Sequence, residues 1–214
     1  YVDLGLPSGL KWATCNVGAS SQEEYGDYYA WGEIETKSEY YKSNSKRFDR
    51  RMRDISGKSK YDVARSKWGG SWRLPTKEEF SELIDKCKWQ WTSQKGKKGY
   101  KVTGPNGNSI FMPRAGFYNY DDFGASLQKP NHSLYYWTNT IYNSGSMNAW
   151  DHINAWDLVK NGLWNDNRIM DNTRRLGFPI RPVYDDRVTL TVIPTPEDAK
   201  VSFHCSGYQW AGNS

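Results

Sequence analysis

The chain of 214 residues carries 29 Lys and Arg against 24 Asp and Glu, a net charge of +5, and 15% of its residues are aromatic. So small a surplus, gathered mainly between Lys37 and Lys67 and accompanied by no recognisable DNA- or RNA-binding motif, argues against a nucleic-acid partner. No apolar run approaches the length of a membrane span, so no membrane insertion is expected of this segment, and three cysteines are too few for a disulfide scaffold.

With 11 Trp and 15 Tyr, the core is expected to rest on large rings. Each of these carries an N–H or O–H that needs a partner when buried. Tyr1 to Gly18 reads as two short strands around the turn Pro7-Ser8-Gly9. Residues Gly26 to Gly32 read as an aromatic strand punctuated by glycines. From Glu33 to about Lys60 the chain is polar, basic and without periodicity, which predicts a long surface excursion with a short helix near Arg50-Arg51-Met52-Arg53. A second short helix is expected over Asp62 to Trp68, stopped by Gly69-Gly70. Thr76-Lys77-Glu78-Glu79 is a capping box. Behind it, Phe80, Leu83, Ile84 and Cys87 fall on one face of a helix from Lys77 to Cys87.

Past that helix the pattern turns to β. Gly99 to Thr103 and Ser109 to Met112, joined by Pro105-Asn106-Gly107-Asn108, form a hairpin signature. Tyr135 to Thr140 reads as a strand, and Asp157 to Trp164 as a hairpin turning at Asn161-Gly162. Ile180-Arg181-Pro182-Val183 closes the domain, its proline marking a sheet edge or a strand terminus. Strands, then helices, then strands, with little βαβ alternation, give an α+β class. Around Arg187 the texture changes to the alternating strands Val188 to Val192 and Lys200 to Phe203. Residues 186–214 are therefore expected to be the truncated beginning of a β-sandwich module of the PEGA or immunoglobulin-like kind. The alternative is that these strands pack onto residues 1–185.

Cys15 and Cys87 are read either as a bridge in an oxidising compartment or as buried free thiols. The histidines, His132, His152 and His204, are dispersed, with no nucleophile–base pair and no H-E-x-x-H spacing, so the chain is not expected to be an enzyme.

Several phrases together carry a family resemblance. They are Tyr1-Val2-Asp3-Leu4-Gly5-Leu6-Pro7-Ser8-Gly9-Leu10-Lys11-Trp12-Ala13-Thr14-Cys15-Asn16-Val17-Gly18, Trp68-Gly69-Gly70-Ser71-Trp72-Arg73-Leu74-Pro75-Thr76, Tyr136-Trp137-Thr138 and Ile180-Arg181-Pro182-Val183. Over residues 1–185 the chain resembles the Fibrobacter succinogenes major paralogous domain of secreted and cell-surface bacterial proteins. That family is similar to the formylglycine-generating sulfatase-modifying enzymes and to the C-type lectin fold. The resemblance implies a C-type-lectin-like domain with two short helices, two small antiparallel sheets, adjacent termini and a long loop region that carries binding. It also implies a secreted or cell-surface location. The copper-binding cysteines of the formylglycine-generating relatives have no counterpart, since Trp89 to Tyr184 contains no cysteine.

Lectin-type calcium sites draw on Glu-Pro-Asn and Trp-Asn-Asp motifs. Lys129-Pro130-Asn131 and Trp164-Asn165-Asp166 are similar, but Lys129 puts a cation where an acidic ligand belongs, so no cofactor is expected, with calcium as the alternative. The stretch from Asn139 to Arg175 interleaves asparagines with Tyr142, Trp150, Trp156 and Trp164. Amides that donate and accept, beside rigid rings, suit a recognition surface; asparagine also serves turns. Tyr142, His152, Asn154, Asp157, Trp164, Asn165, Asn167 and Arg174 are the expected ligand contacts, for a glycan or a protein ligand on a host or neighbouring cell. The Asn-rich stretch is also similar to regions diversified by adenine-mutating retroelements. The rival expectations are a structural spacer in a surface protein and, from the resemblance, an enzyme relative of the formylglycine-generating type.

Overall fold

The computed structural model describes residues 1–121, 124–128, 130–143, 153–160, 167–186, 189–191, 202–205 and 208–209. Small antiparallel sheets dominate, and among the described residues there are two helices. An α+β or mainly β class holds. Among the described residues the sheets in 1–185 are more numerous than the two that the resemblance implies. No described helix is long and apolar enough to cross a membrane.

Strands β1 (Val2–Asp3) and β2 (Lys11–Trp12) pair as expected across the Pro7-Ser8-Gly9 turn. Ser8 fastens this turn to the second helix, its amide and hydroxyl both donating to the Glu82 carboxylate at 2.9 and 2.6 Å. β3 is Tyr28–Tyr29. The polar excursion after it contains no helix at 50–53, and it is not merely superficial. Tyr40, Phe48 and Ile55 are buried, so isolated apolar anchors rather than helical periodicity hold it down.

Helix α1 (Val63–Trp68) is capped by Asp62, which accepts from the Arg65 amide, and it ends at Gly69 with φ +67°. Gly69 suits this left-handed end because it has no Cβ to clash. Asp62 also accepts from the amides of Gly57 and Leu74, and burial outweighs these donors to push its carboxyl up. β4 is Trp72–Arg73. Helix α2 (Lys77–Lys86) opens with the full capping box of Thr76 and Glu79 and buries Phe80 and Leu83. Arg73 grips Glu79 with both terminal nitrogens and Asp185 with one, tying α2 to the closing strand.

β5 (Lys88–Gln94), unassigned in the sequence, pairs with β6 (Lys97–Thr103), which pairs with β7 (Ser109–Pro113) in the expected hairpin. β8 (Phe117–Asp121) and β9 (Gly124–Gln128) form a ribbon. β10 (Leu134–Ile141), β11 (Asn154–Lys160) and β12 (Arg168–Thr173) form a three-stranded sheet. The expected Asn161-Gly162 turn lies outside the described residues; on either side of 161–166, Val159 of β11 pairs with Arg168 of β12. β13 (Phe178–Pro179) pairs with β3, and β14 (Val183–Tyr184) lies between β2 and β4. Pro182 therefore sits at a strand terminus, its carbonyl accepting from Ala13, and not on a sheet edge. β15 (Thr189–Thr191), β16 (Ser202–Cys205) and β17 (Tyr208–Gln209) form a separate three-stranded sheet.

One core gathers Leu4, Trp12, Phe80, Val102, Tyr136 and Leu158, and a second gathers Trp31, Ile55, Trp137, Phe178 and Ile180. The buried rings find partners as expected: Trp31 donates to Thr138 O, Trp137 to Tyr29 O, and Tyr28 to Ala115 O. Among the described residues Trp12 is an exception, its indole N–H buried and unbonded. Cys15 and Cys87 are free thiols, so the bridge is not formed. Cys15 reaches the Ala19 carbonyl at 3.4 Å, and burial pushes the Cys87 thiol up to about 11.

Candidate functional site

The sheet β10-β11-β12 carries the described part of the Asn- and aromatic-rich stretch. Its register decides which side chains share a face. Tyr136 lies opposite Leu158 and Leu158 opposite Ile169, so these residues form one face and pack in the core with Phe80 and Leu83 of α2. Two residues further along β11, the same face presents Trp156 opposite Asp171, then Asn154 opposite Thr173. There α2 begins, and the apolar core gives way to half-buried polar and aromatic groups.

At that end the Trp156 indole lies between the Tyr142 ring, 5.3 Å away, and the Lys77 ammonium, 4.8 Å from its centroid. Lys77 is the first residue of α2, and its amide donates to Thr140 Oγ1. The Asn154 amide donates to Asp171 Oδ2 at 2.8 Å, a diagonal cross-strand pair. The strand irregularity between Trp137 and Ile141 is held by Thr138, whose hydroxyl donates to Trp156 O and accepts from the Thr140 amide. Tyr142 is placed by its own amide donating to Asn154 O. A cation, two rings, an amide and a carboxylate thus stand together, carried by α2, β11, β12 and the residue that follows β10.

The opposite face is closed. Asp157 lies opposite Trp137 and Met170, fully buried, with one oxygen accepting from Asn172 at 3.0 Å and the other without a partner. Burial holds its carboxyl well above the usual Asp range, and the charge of Asp171 adds to the effect. Arg174 is fully buried too. Its guanidinium donates to the carbonyls of Asn154, Arg47 and Arg50 and lies 5.0 Å from the Trp31 ring, and burial lowers its pKa to about 10.

The expected contacts therefore separate. Tyr142 and Asn154 come together at the half-buried end. Asp157 and Arg174 are turned inward and hold the sheet and the excursion in place, which corrects their expected role as contacts. Asn167, half-buried, precedes β12 at the other end of the sheet, roughly 20 Å from Asn154 along the strands. His152, Trp164 and Asn165 lie outside the described residues. Lys77 was missed, because it belongs to a capping box and its approach to Trp156 depends on long-range packing. Trp156 and Asp171 carried a signal, since both sit in the Asn-rich stretch.

Of the residues similar to a calcium motif, Lys129 and 164–166 lie outside the described residues. Asn131 has φ +62°, and its amide oxygen accepts from Tyr25 and from the Lys98 amide. Among the described residues no group of three or more His, Cys, Asp or Glu is placed to hold a metal. No family model, curated protein or solved structure matches the chain.

Proposed function

We propose that the chain is a non-catalytic, adhesin-like ligand-binding domain of C-type-lectin-like build, carried on a secreted or cell-surface bacterial protein related to the major paralogous domain. The observation that carries this reading is the half-buried group of Tyr142, Asn154, Trp156, Asp171 and Lys77 at one end of the β10–β12 sheet. Aromatic faces beside paired amide and carboxylate groups suit a glycan, through stacking and hydroxyl contacts, and suit a protein surface equally. The C-type-lectin-like build is supported by β1 and β14 both flanking β2, the adjacent-termini arrangement that the family resemblance implies. The capped α2 beneath the site supports it as well.

The burial of Asp157 and Arg174 supports a second reading, a structural spacer in a surface protein. A screen against a glycan array and host-surface extracts, with calcium and with chelator, separates the two. Calcium-independent binding that weakens at least roughly tenfold in Tyr142→Ala, with the melting temperature held, is the expected result. Silence on every surface would sink the binding reading and leave the spacer. A calcium-dependent glycan signal would make the domain a lectin.

A further inference from the structure

The polar excursion forms a second site, independent of the face just described. Its residues Tyr41, Lys42, Ser43 and Ser45 line an open cavity of ≈ 760 Å³ together with Phe48, Asp49 and Arg175. That volume falls in the range of small-ligand sites. The walls are fixed from below. Tyr40 is buried, its hydroxyl donating to Tyr28 O at 2.6 Å, and it packs where Gly177 leaves room: a Cβ there would come within 2.7 Å of the Tyr40 ring. Asn44 ties the loop to itself, accepting from the Tyr41 amide and donating to Glu39 O. Glu33, buried, accepts from the Lys46 amide and pairs with Lys37.

Arg175 is the decisive group. Its Nη1 donates to Tyr40 O at 3.2 Å and to Asn119 Oδ1 at 2.8 Å, which aims the guanidinium without neutralising it. Its Nε and Nη2 have no acceptor among the described residues, and neither is sealed from solvent. These nitrogens form the side-on edge of the guanidinium, which matches both oxygens of a carboxylate. Lys42, on the same cavity, makes no ion pair among the described residues and lies 5.2 Å from the Phe48 ring centroid. A hydrogen-bonded Arg175 and an exposed Lys42, neither ion-paired among the described residues, thus border the same cavity. The rest of the lining is hydroxyls and a single carboxylate, Asp49. Asp49 would repel a run of acidic side chains, yet it can accept from the hydroxyls of a sugar.

We infer that this cavity binds an acidic oligosaccharide, with the carboxylate of a uronic-acid-type sugar on Arg175 and Lys42 and its hydroxyls toward Asp49 and the serines. The test is an amide-resolved NMR titration of the chain with trigalacturonate, with maltotriose as the neutral control and triglutamate as the acidic-peptide control. Shifts confined to the neighbourhood of 41–49 and 175, with maltotriose at least roughly tenfold weaker, are expected. Arg175→Gln and Lys42→Gln should each weaken trigalacturonate roughly tenfold. Lys42 is exposed, so its variant keeps the test decisive should Arg175→Gln impair folding. Tyr142→Ala, which probes the other face, should leave the titration unchanged, so failure of that site and failure of this one remain distinguishable. Equal binding of maltotriose, tighter binding of triglutamate, an unchanged affinity in Lys42→Gln, or no shift at millimolar trigalacturonate would each overturn the assignment.

Discussion

Arg181 and Arg175 lie six positions apart, and the regions around them are built on opposite principles. Arg181 is fully buried, and each of its nitrogens is taken: Nε by Asn16 Oδ1, Nη1 by the carbonyls of Ala13 and Thr14, Nη2 by Phe111 O. Asn16 passes the network on to Tyr25 O and to the Tyr136 hydroxyl. Arg175 is half-buried and spends one nitrogen on the protein. The closed region joins the N-terminal strands, the β5–β7 sheet and the closing strand. The open region leaves donors facing a cavity. An arginine with neutral partners and no carboxylate is a structural rivet when its donors are all used, and a recognition group when they are not.

The largest effect should come from breaking the rivet. Arg181→Met would strand buried carbonyls and the Asn16 amide in one region, and an unsatisfied buried acceptor costs about 1–3 kcal/mol. A loss of at least about 3 kcal/mol in urea unfolding is expected. Arg174→Met comes next. It removes the donors that hold the Arg47 and Arg50 carbonyls and the contact with Trp31, so about 2 kcal/mol is expected. Its more specific sign is faster proteolytic nicking near 47–53, because the excursion loses its tether. Cleavage elsewhere at the same rate would show that Arg174 does not tether that segment.

What could be read from the chain and what could not follows the same division between local and long-range structure. The capping box at Thr76 and the Asn106-Gly107 hairpin depend on residues within a few positions, and both stand where the pattern put them. β5 was missed because its turn uses Lys95 at φ +45° and carries no Asn-Gly signal. Whether a polar residue of β11 faces solvent or core depends on its parity and on which partner strands it meets. Composition marked Asn154 and Asp157 alike, but the register sends one to the half-buried end and the other inward. Arg174 and Arg175 are adjacent, and only the fold distinguishes them. The cavity was invisible because Tyr40, Phe48 and Ile55 are single anchors without a period.

Asp157 offers a smaller and more discriminating effect. Its carboxyl is held above the usual Asp range by burial, so the folded chain keeps a proton that the unfolded chain releases near about pH 3.9. Stability should therefore fall as pH rises from there toward the folded pKa, and level off above it. Asp157→Asn imitates the protonated acid and keeps an oxygen for Asn172. It should raise stability at neutral pH by about 1 kcal/mol and remove that part of the pH dependence. Urea melts over roughly pH 4–8 would show it. A wild-type profile that rises with pH across this window, unchanged in the variant, would mean that Asp157 is charged and compensated.

The smallest stability effect is expected at Arg175, and its smallness is what sharpens the contrast with Arg181. In Arg175→Gln the side chain keeps an amide that can still serve Tyr40 O or Asn119 Oδ1, while the charge disappears from a half-buried, un-neutralised position. Losing a hydrogen bond and relieving a desolvated charge oppose each other, so the net change should stay within about 1 kcal/mol. A recognition group can be removed cheaply because its donors were held for a ligand and contributed little to the fold. If Arg175→Gln instead unfolded the chain as readily as Arg181→Met, both arginines would be rivets, and the open cavity would owe its charge to the needs of folding.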